Sequence, residues 1–344
     1  MTRIAALAGA LCLALAEPTI AEEPTICDRP HEAGNRHVVM ILWRGPTEVE
    51  RGFRDYVVRA DLPVNVTCLS IDRDTSRLPE MIARANEIGP DLVYTWGTSV
   101  TRATVGEFDK VDPAKNVTDI PVIFTMVSYP VGSRIVESFE PSGRNVTGAT
   151  HTVPLDAQIR AMQAYRPMKR LGVIYNPLEN NSIVNVRKLK ELAEAEDFDV
   201  IDLPVPLGPD GQPNPATLPD LIDQLAAREP QFLYIGPDNF VGEHRDLIIG
   251  EALERGLPAF TATELEIMRG EAMIGLVTGY YNLGRYMGYL AERVLMDGED
   301  PGTIPISTLS RFTYALRLSV AARLGLYPPL DLLDYAYIVD REGT

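Results

Sequence analysis

The chain changes its hydrophobic period again and again. Short runs of continuous apolar, β-branched residues give way to stretches whose apolar residues recur at helical spacing. "HVVMILW" leads into "TEVERGFRDYVVRA", "VNVTCLSI" into "RLPEMIARANEI", "LVYTW" into "TSVTRATVGEF", and "PVIFTM" into "GSRIVESF". Apolar runs of that length read as strands buried on both faces, and their alternation with amphipathic helices requires parallel sheets covered by helices. A second series follows: "RLGVIYN" into "SIVNVRKLKELAEAE", "FDVIDLPV" into "TLPDLIDQLAAR", "FLYIG" into "VGEHRDLIIGEALERG", then "PAFTAT" and "AMIGLVTG". The pattern predicts an α/β protein of two lobes, in keeping with 344 residues, about two domains by length. The Pro/Gly-rich "LGPDGQPNPATLP" reads as a surface loop inside the second lobe.

The opening "MTRIAALAGALCLALAEPTIAEE" has a basic start, an apolar stretch and a Thr-Ile-Ala tripeptide resembling a cleavage site, so residues 1–21 read as a secretory signal peptide. A membrane anchor needs about 20 apolar residues, and Glu17 and Pro18 arrive too early for that. A soluble, exported protein is expected. Its formal net charge of −16, from 32 basic and 48 acidic side chains, opposes binding to nucleic acid or to an anionic membrane. Removing the leader takes Cys12 and leaves Cys27 and Cys68, an even count in an oxidising compartment. One precedes the first expected strand and the other lies inside its neighbour. They form a disulfide or remain two buried thiols.

In open parallel sheets, ligands bind beyond the carboxyl ends of the strands. In the first lobe these ends are Trp43-Arg44-Gly45, Trp96-Gly97-Thr98-Ser99 and Val127-Ser128-Tyr129. In the second they are residues 176–182, Pro237-Asp238-Asn239, residues 261–264, and Thr278-Gly279-Tyr280-Tyr281. Both tryptophans sit at such ends, as ligand walls or as core. Thr98 with Ser99, and Asn181 with Ser182, stand where helices begin; they cap, or they leave N–H donors facing an anion. Asp238 caps a helix or accepts a ligand ammonium, and the second role is favoured. No nucleotide-binding loop, zinc-protease motif or nucleophile elbow is present. His31, His37, His151 and His244 lack metal-ligand spacing and read as structural or surface residues. No catalytic or metal-binding residue is nominated.

The ordered series "PDLVYTWGTSVTRA", "IPVIFTMVSYPVGSRIVESFEPSGRNVTGAT", "RLGVIYNPLENNSIVNVRKLKELA", "YIGPDNFV" and "GLVTGYYNLGRYMGYLAERVLMDGEDPGTIPI" resembles the periplasmic substrate-binding proteins of ABC transporters, in the branch that includes tryptophan- and phenylalanine-binding members. The likeness covers nearly the whole chain after the leader. It implies a type I periplasmic-binding fold, two doubly wound parallel-sheet lobes joined by three crossings near 146–150, 277–281 and 304–309. Lobe 1 is then 28–148 plus 278–303, and lobe 2 is 149–277 plus 304–344. A solute, an amino acid or a related and aromatic compound, is held in the cleft by hinge closure. The resemblance implies no enzyme activity and no cofactor. It implies a monomer in the periplasm whose partners are a small-molecule solute and a membrane permease, with no nucleic acid. The alternative is a receptor that presents its closed form to a membrane sensor kinase. A hydrolase would need an acid–base pair that the sequence does not nominate, and a transcription regulator would need room for an N-terminal helix-turn-helix.

Residue by residue, Thr98 and Ser99 match the family's Gly-Thr helix start. Asn180, Asn181 and Ser182 match its second anion-facing helix start, Asp238 and Asn239 its Asp-Asn acceptor, and Tyr280 and Tyr281 its Tyr-Tyr pair at the hinge. Glu264 stands at a further strand end. Where relatives usually carry Thr-Asp-Pro-Val, this chain has Ser128-Tyr129-Pro130-Val131, a phenol in place of an acid. Tyr129 is therefore expected to lie against the solute as a flat wall, joined by Trp43 or Trp96, with Pro130 fixing the loop before a helix at Gly132. The Trp43 strand end also departs from the commonest family form.

Overall fold

Two parallel sheets, each covered by helices, organise the computed structural model, which describes residues 25–339. The leader expected over 1–21 lies outside the described residues. The first half runs β1 (Arg36–Leu42), α1 (Glu48–Arg59), β2 (Val64–Ser70), α2 (Leu78–Ile88), β3 (Leu92–Trp96), α3 (Thr98–Val105), β4 (Val122–Val127) and β5 (Val146–Thr150). The second runs α4 (Leu155–Tyr165), β6 (Arg170–Tyr175), α5 (Asn180–Glu196), β7 (Asp199–Pro204), α6 (Leu218–Ala226), β8 (Phe232–Ile235), α7 (Asn239–Glu243), α8 (Arg245–Glu254), β9 (Ala259–Thr261), α9 (Glu264–Met268) and β10 (Ile274–Val277). The chain closes with α10 (Tyr280–Leu295), β11 (Ser307–Thr308), β12 (Thr313–Leu316), α11 (Leu318–Arg323), α12 (Leu330–Leu333) and β13 (Tyr337–Ile338).

The first sheet has the order β11-β5-β4-β3-β1-β2, with every pair parallel. The second has the order β13-β12-β10-β9-β8-β6-β7, parallel except where β12 runs antiparallel to β10. Each sheet has its own apolar core, one centred on Val38–Leu42 and Val122–Phe124, the other on Leu171, Phe232–Ile235 and Phe260. Strands buried on both faces are what the continuous apolar runs of the sequence require. The chain passes between the sheets three times, after β5, between β10 and α10, and between β11 and β12. Because Ser307 and Thr308 pair with Ala149 and Thr150 in the first sheet, the last passage falls a few residues later than the sequence places it.

Helix α1 starts at Thr47, whose hydroxyl accepts from the Val49 amide while the Glu50 carboxylate accepts from the Thr47 amide at 2.8 Å, a reciprocal cap. It packs on α10 at backbone contact. A Cβ on Gly52 would lie 2.0 Å from the Tyr281 carbonyl oxygen, and one on Gly284 would lie 1.8 Å from that of Val49. Only glycine fits at either place. Cys27 and Cys68 are joined as a disulfide, with 5.6 Å between their Cα atoms, and tie the segment before β1 to β2.

The helix expected from Gly132 onward does not form; residues 131–134 are turns. Arg134 takes φ +60, its guanidinium is drawn to Glu107 and Asp109, and the Ile135 amide folds back to the Pro130 carbonyl. An ion pair and a left-handed residue thus interrupt what reads as an amphipathic stretch. Among the described residues no helix is long and apolar enough to cross a membrane.

Candidate functional site

The carboxyl ends of the two sheets face each other across a small space of about 50 Å³. The first lobe contributes Arg44 after β1, Trp96, Gly97 and Thr98 after β3, Met126 and Ser128 from the end of β4, and His151 after β5. The second contributes Asn181 from α5, Pro237, Asp238 and Asn239 after β8, and Thr263, Leu265 and Glu266 after β9; Tyr280 opens α10 beside them.

Local backbone explains several of these placements. Gly97 has φ +90, open to glycine and costly for other residues, and it turns the chain from β3 directly into α3. The first amides of α3 have no partner within the helix and so form a site for negative charge at the wall. Met126 has φ +55, beside a register shift between Phe124 and Val127. This strained bulge re-aims the end of β4.

The walls differ in charge. On the first lobe the Arg44 guanidinium lies over the Trp96 ring, 5.4 Å from its centroid. On the second, Asp238 accepts from the Asn176 amide at 2.7 Å and from the Val241 amide at 2.9 Å, capping α7. Glu179 stands behind it and accepts from the Asn239 amide at 3.1 Å and from the Asn181 side chain at 3.2 Å. Burial, reinforced by the charge of Asp238, pushes the Glu179 carboxyl up to about 8; burial also raises Asp238. Two buried carboxyls near one another each make ionisation of the other harder. Glu266 is raised by burial too and is held by the hydroxyls of Thr261 and Thr263. Burial holds the His151 imidazole down to about 4, and its ring meets Tyr280 edge-on, 6.3 Å between centroids.

Of the residues singled out in the sequence, Trp96, Thr98, Ser128, Asn181, Asp238, Asn239 and Tyr280 come together around this space. Ser99, Asn180 and Ser182 lie beside wall residues in the same helices but do not line it. Trp43 is buried, off the wall. Glu264 accepts from the Tyr280 amide at 2.7 Å, so it ties the second lobe to the start of α10. Tyr281 turns away: its hydroxyl donates to Asp55 at 2.9 Å and Arg51 lies over its ring.

Tyr129 is not on the wall either. The chain has left β4 by Ser128, which borders both this space and a neighbouring groove, and Tyr129 faces only the groove. Its hydroxyl donates to Asn185 Oδ1 at 2.6 Å, and its ring lines a separate groove of about 700 Å³ with Val131, Phe139, Val153 and Leu155. Residues that went unnominated include Arg44, Met126, His151, Glu179, Leu265 and Glu266. The signal was near at hand: Arg44 follows Trp43, Glu179 precedes Asn180, and Glu266 is two positions beyond Glu264. His151 was legible only as the residue that leaves β5.

The family described as ABC transporter substrate binding protein matches residues 58–339 of the chain. A tyrosine-binding protein of Clostridioides difficile (strain R20291) is 29% identical over 221 residues, which are 64% of this chain and 58% of that protein. The chain thus spans somewhat more than half the length of that curated relative. Among solved structures, a conserved domain protein from Vibrio cholerae superposes with a TM-score of 0.77 at 20% identity, over 89% of this chain and all of that one. The ABC domain in complex with L-Trp from Streptococcus pneumoniae does so with 0.75 at 20%, over 88% of this chain and all of that one. A ligand-free, open substrate binding protein with adhesive properties from Clostridium difficile gives 0.66 at 21%, over 89% of this chain and all of that one. At these identities the structures show a shared fold of two parallel-sheet α/β lobes.

Proposed function

The chain belongs to the ABC transporter substrate binding protein family, and from that premise we propose that it is the periplasmic solute-binding component of an import system, closing over an aromatic amino acid or a related compound and delivering it to a membrane permease. The observation that carries the reading is the opposition of charge across one small space. Arg44 and the start of α3 face Asp238 and Glu266, with the flat ring of Trp96 between the poles of a zwitterion. In this reading the solute's carboxylate is held by Arg44, Thr98 and the α3 amides, and its ammonium by Asp238. The walls belong to different lobes, so both touch the solute only in the closed form, and the solute shifts the protein toward closure. No bond is made or broken. Charge pairs removed from water count for more than exposed ones, which suits a site of high affinity.

The relative from Clostridioides difficile is named for tyrosine and the Streptococcus domain holds L-Trp; both support the aromatic amino acid class. The leader read over 1–21 supports export, and the net charge of −16 supports a partner other than nucleic acid. The test is isothermal calorimetry with L-tyrosine, L-tryptophan and L-phenylalanine, beside native mass spectrometry of protein purified from the periplasm. Binding of at least one of the three at micromolar or tighter affinity is expected. A copurified solute lacking either an ammonium or a carboxylate, with no binding of the three, overturns the reading.

A further inference from the structure

Among the described residues, polar contacts that join the lobes away from the solute space include two on opposite flanks of the cleft. Tyr129 donates to Asn185 on α5, and Arg73 pairs with Glu243 at the end of α7, Nε to Oε1 2.7 Å. Sheet order separates them. Strand β4, which leads to Tyr129, adjoins β5 and the first crossing, whereas β2, which leads to Arg73, is the opposite edge. Their surroundings differ as well. The Arg73 side chain is 54% exposed, so its pair is screened and worth little. Asn185 is 2% exposed and sits in a buried network. The Tyr234 hydroxyl lies 3.4 Å from Asn185 Oδ1 and donates to Gln158 Oε1 at 2.9 Å, and the Gln158 amide donates to the Val153 carbonyl at 2.6 Å, inside the first crossing. The loop that carries Tyr129 is also fitted to α5 by shape: a Cβ on Gly132 would come within 2.7 Å of a Val184 methyl.

We propose that Tyr129 is a closure residue, which raises affinity for the solute by holding the lobes together through Asn185 while making no contact with the solute. The inference rests on the hinge-closure reading above. Tyr129 is absent from the walls of the solute space. When the lobes part, its phenol returns to water and Asn185 Oδ1 keeps only the long Tyr234 contact, so the hydrogen bond belongs wholly to the closing equilibrium. A solute leaves through the open form, and a bond made after closure therefore acts on the rate of release. Ser128 on the wall and Tyr129 in the latch are neighbours on one strand end, which couples solute contact to closure.

The test is Tyr129→Phe, with L-tyrosine and L-tryptophan as probes. Stopped-flow measurements should show release roughly 2- to 10-fold faster, the range that one ordinary hydrogen bond spans, with the association rate and the melting temperature of the ligand-free protein unchanged. Single-molecule distances between dyes at positions 84 and 194, one exposed site on each lobe, should show a smaller closed fraction in the variant without any probe. Wild-type release rates together with a wild-type closed fraction overturn the proposal. A lower melting temperature with both of those unchanged also overturns it, because Tyr129 is then scaffold. Should the wild-type protein bind neither probe, the closed fraction alone decides the latch, and the amino acid reading is decided separately by the three-solute calorimetry above.

Discussion

The guanidinium of Arg44 lies over the ring of Trp96, 5.4 Å from its centroid, so a single wall of the space between the lobes is both cationic and flat. Trp43, the other tryptophan of the chain, is buried off that wall. Trp96→Phe should therefore abolish most of the change in intrinsic fluorescence on solute binding and weaken binding by about 1 to 2 kcal/mol. Trp43→Phe should keep both. A fluorescence titration of the two variants separates these outcomes, and loss of the signal in Trp43→Phe alone would put the solute elsewhere.

Asp238 caps α7 and lines the space, and two substitutions divide those roles. Asparagine keeps one acceptor oxygen for the Val241 amide but turns an NH2 group toward the Asn176 N–H, so Asp238→Asn should cost about 1 to 3 kcal/mol of stability while weakening the binding of a zwitterion. Asp238→Ala should add a loss of about 1 kcal/mol in stability, and should cost about 2 to 5 kcal/mol of binding if the carboxylate pairs with the ammonium. Calorimetry and urea denaturation measure the two quantities. An unchanged dissociation constant in Asp238→Asn leaves the residue as a cap.

Glu179 and His151 make stability depend on pH in opposite directions. The Glu179 carboxyl binds its proton more tightly folded, up to about 8, than unfolded, so its contribution is full in acid and is lost as pH rises toward 8. The His151 imidazole, held down to about 4, binds its proton less tightly folded, so its contribution is present above about 6.5 and is lost as pH falls toward 4. Between pH 6.5 and 8 only the Glu179 effect remains of the two. The melting temperature should fall across that interval, and Glu179→Gln should flatten the fall. An identical slope in the variant would refute the assignment.

The backbone contact of α1 with α10 leaves no room for a methyl group. Gly284→Ala, which would bring a Cβ to 1.8 Å from the Val49 carbonyl oxygen, should destabilise the protein by about 3 kcal/mol or more. Gly298→Ala is a poor control, since that residue has φ +70, whereas Gly250→Ala meets open space and should be neutral or slightly stabilising. Guanidinium denaturation compares them.

The two sheets were legible because strands buried on both faces leave an unbroken apolar signature, and the order of strand-end motifs narrowed them to a fold. The charged partners were not. Glu179 and Asp238 are 59 positions apart in sequence and meet only because β6 and β8 are neighbours in the sheet. Tyr129 stands just past the expected strand end but off the wall, because beyond β4 the loop and a hydrogen bond to Asn185, 56 positions away, set its direction. The stretch from Gly132 has helical periodicity, yet the pull of Glu107 and Asp109 on Arg134 comes from another part of the chain and overrides it.

Glycines at 52 and 284 let α10 lie on α1 with nothing between their backbones, so α10 travels with the first lobe as one piece. Strand β10, which ends at Val277, travels with the second. Of the covalent chain at this passage, only Thr278 and Gly279 remain to twist, and the Glu264 carboxylate grips the next amide beyond them. On the closure reading proposed above, these few dihedral angles are the axle at this passage, and the length of the joint, as much as anything on the walls, sets how wide the jaws swing and so the girth of the largest molecule they admit.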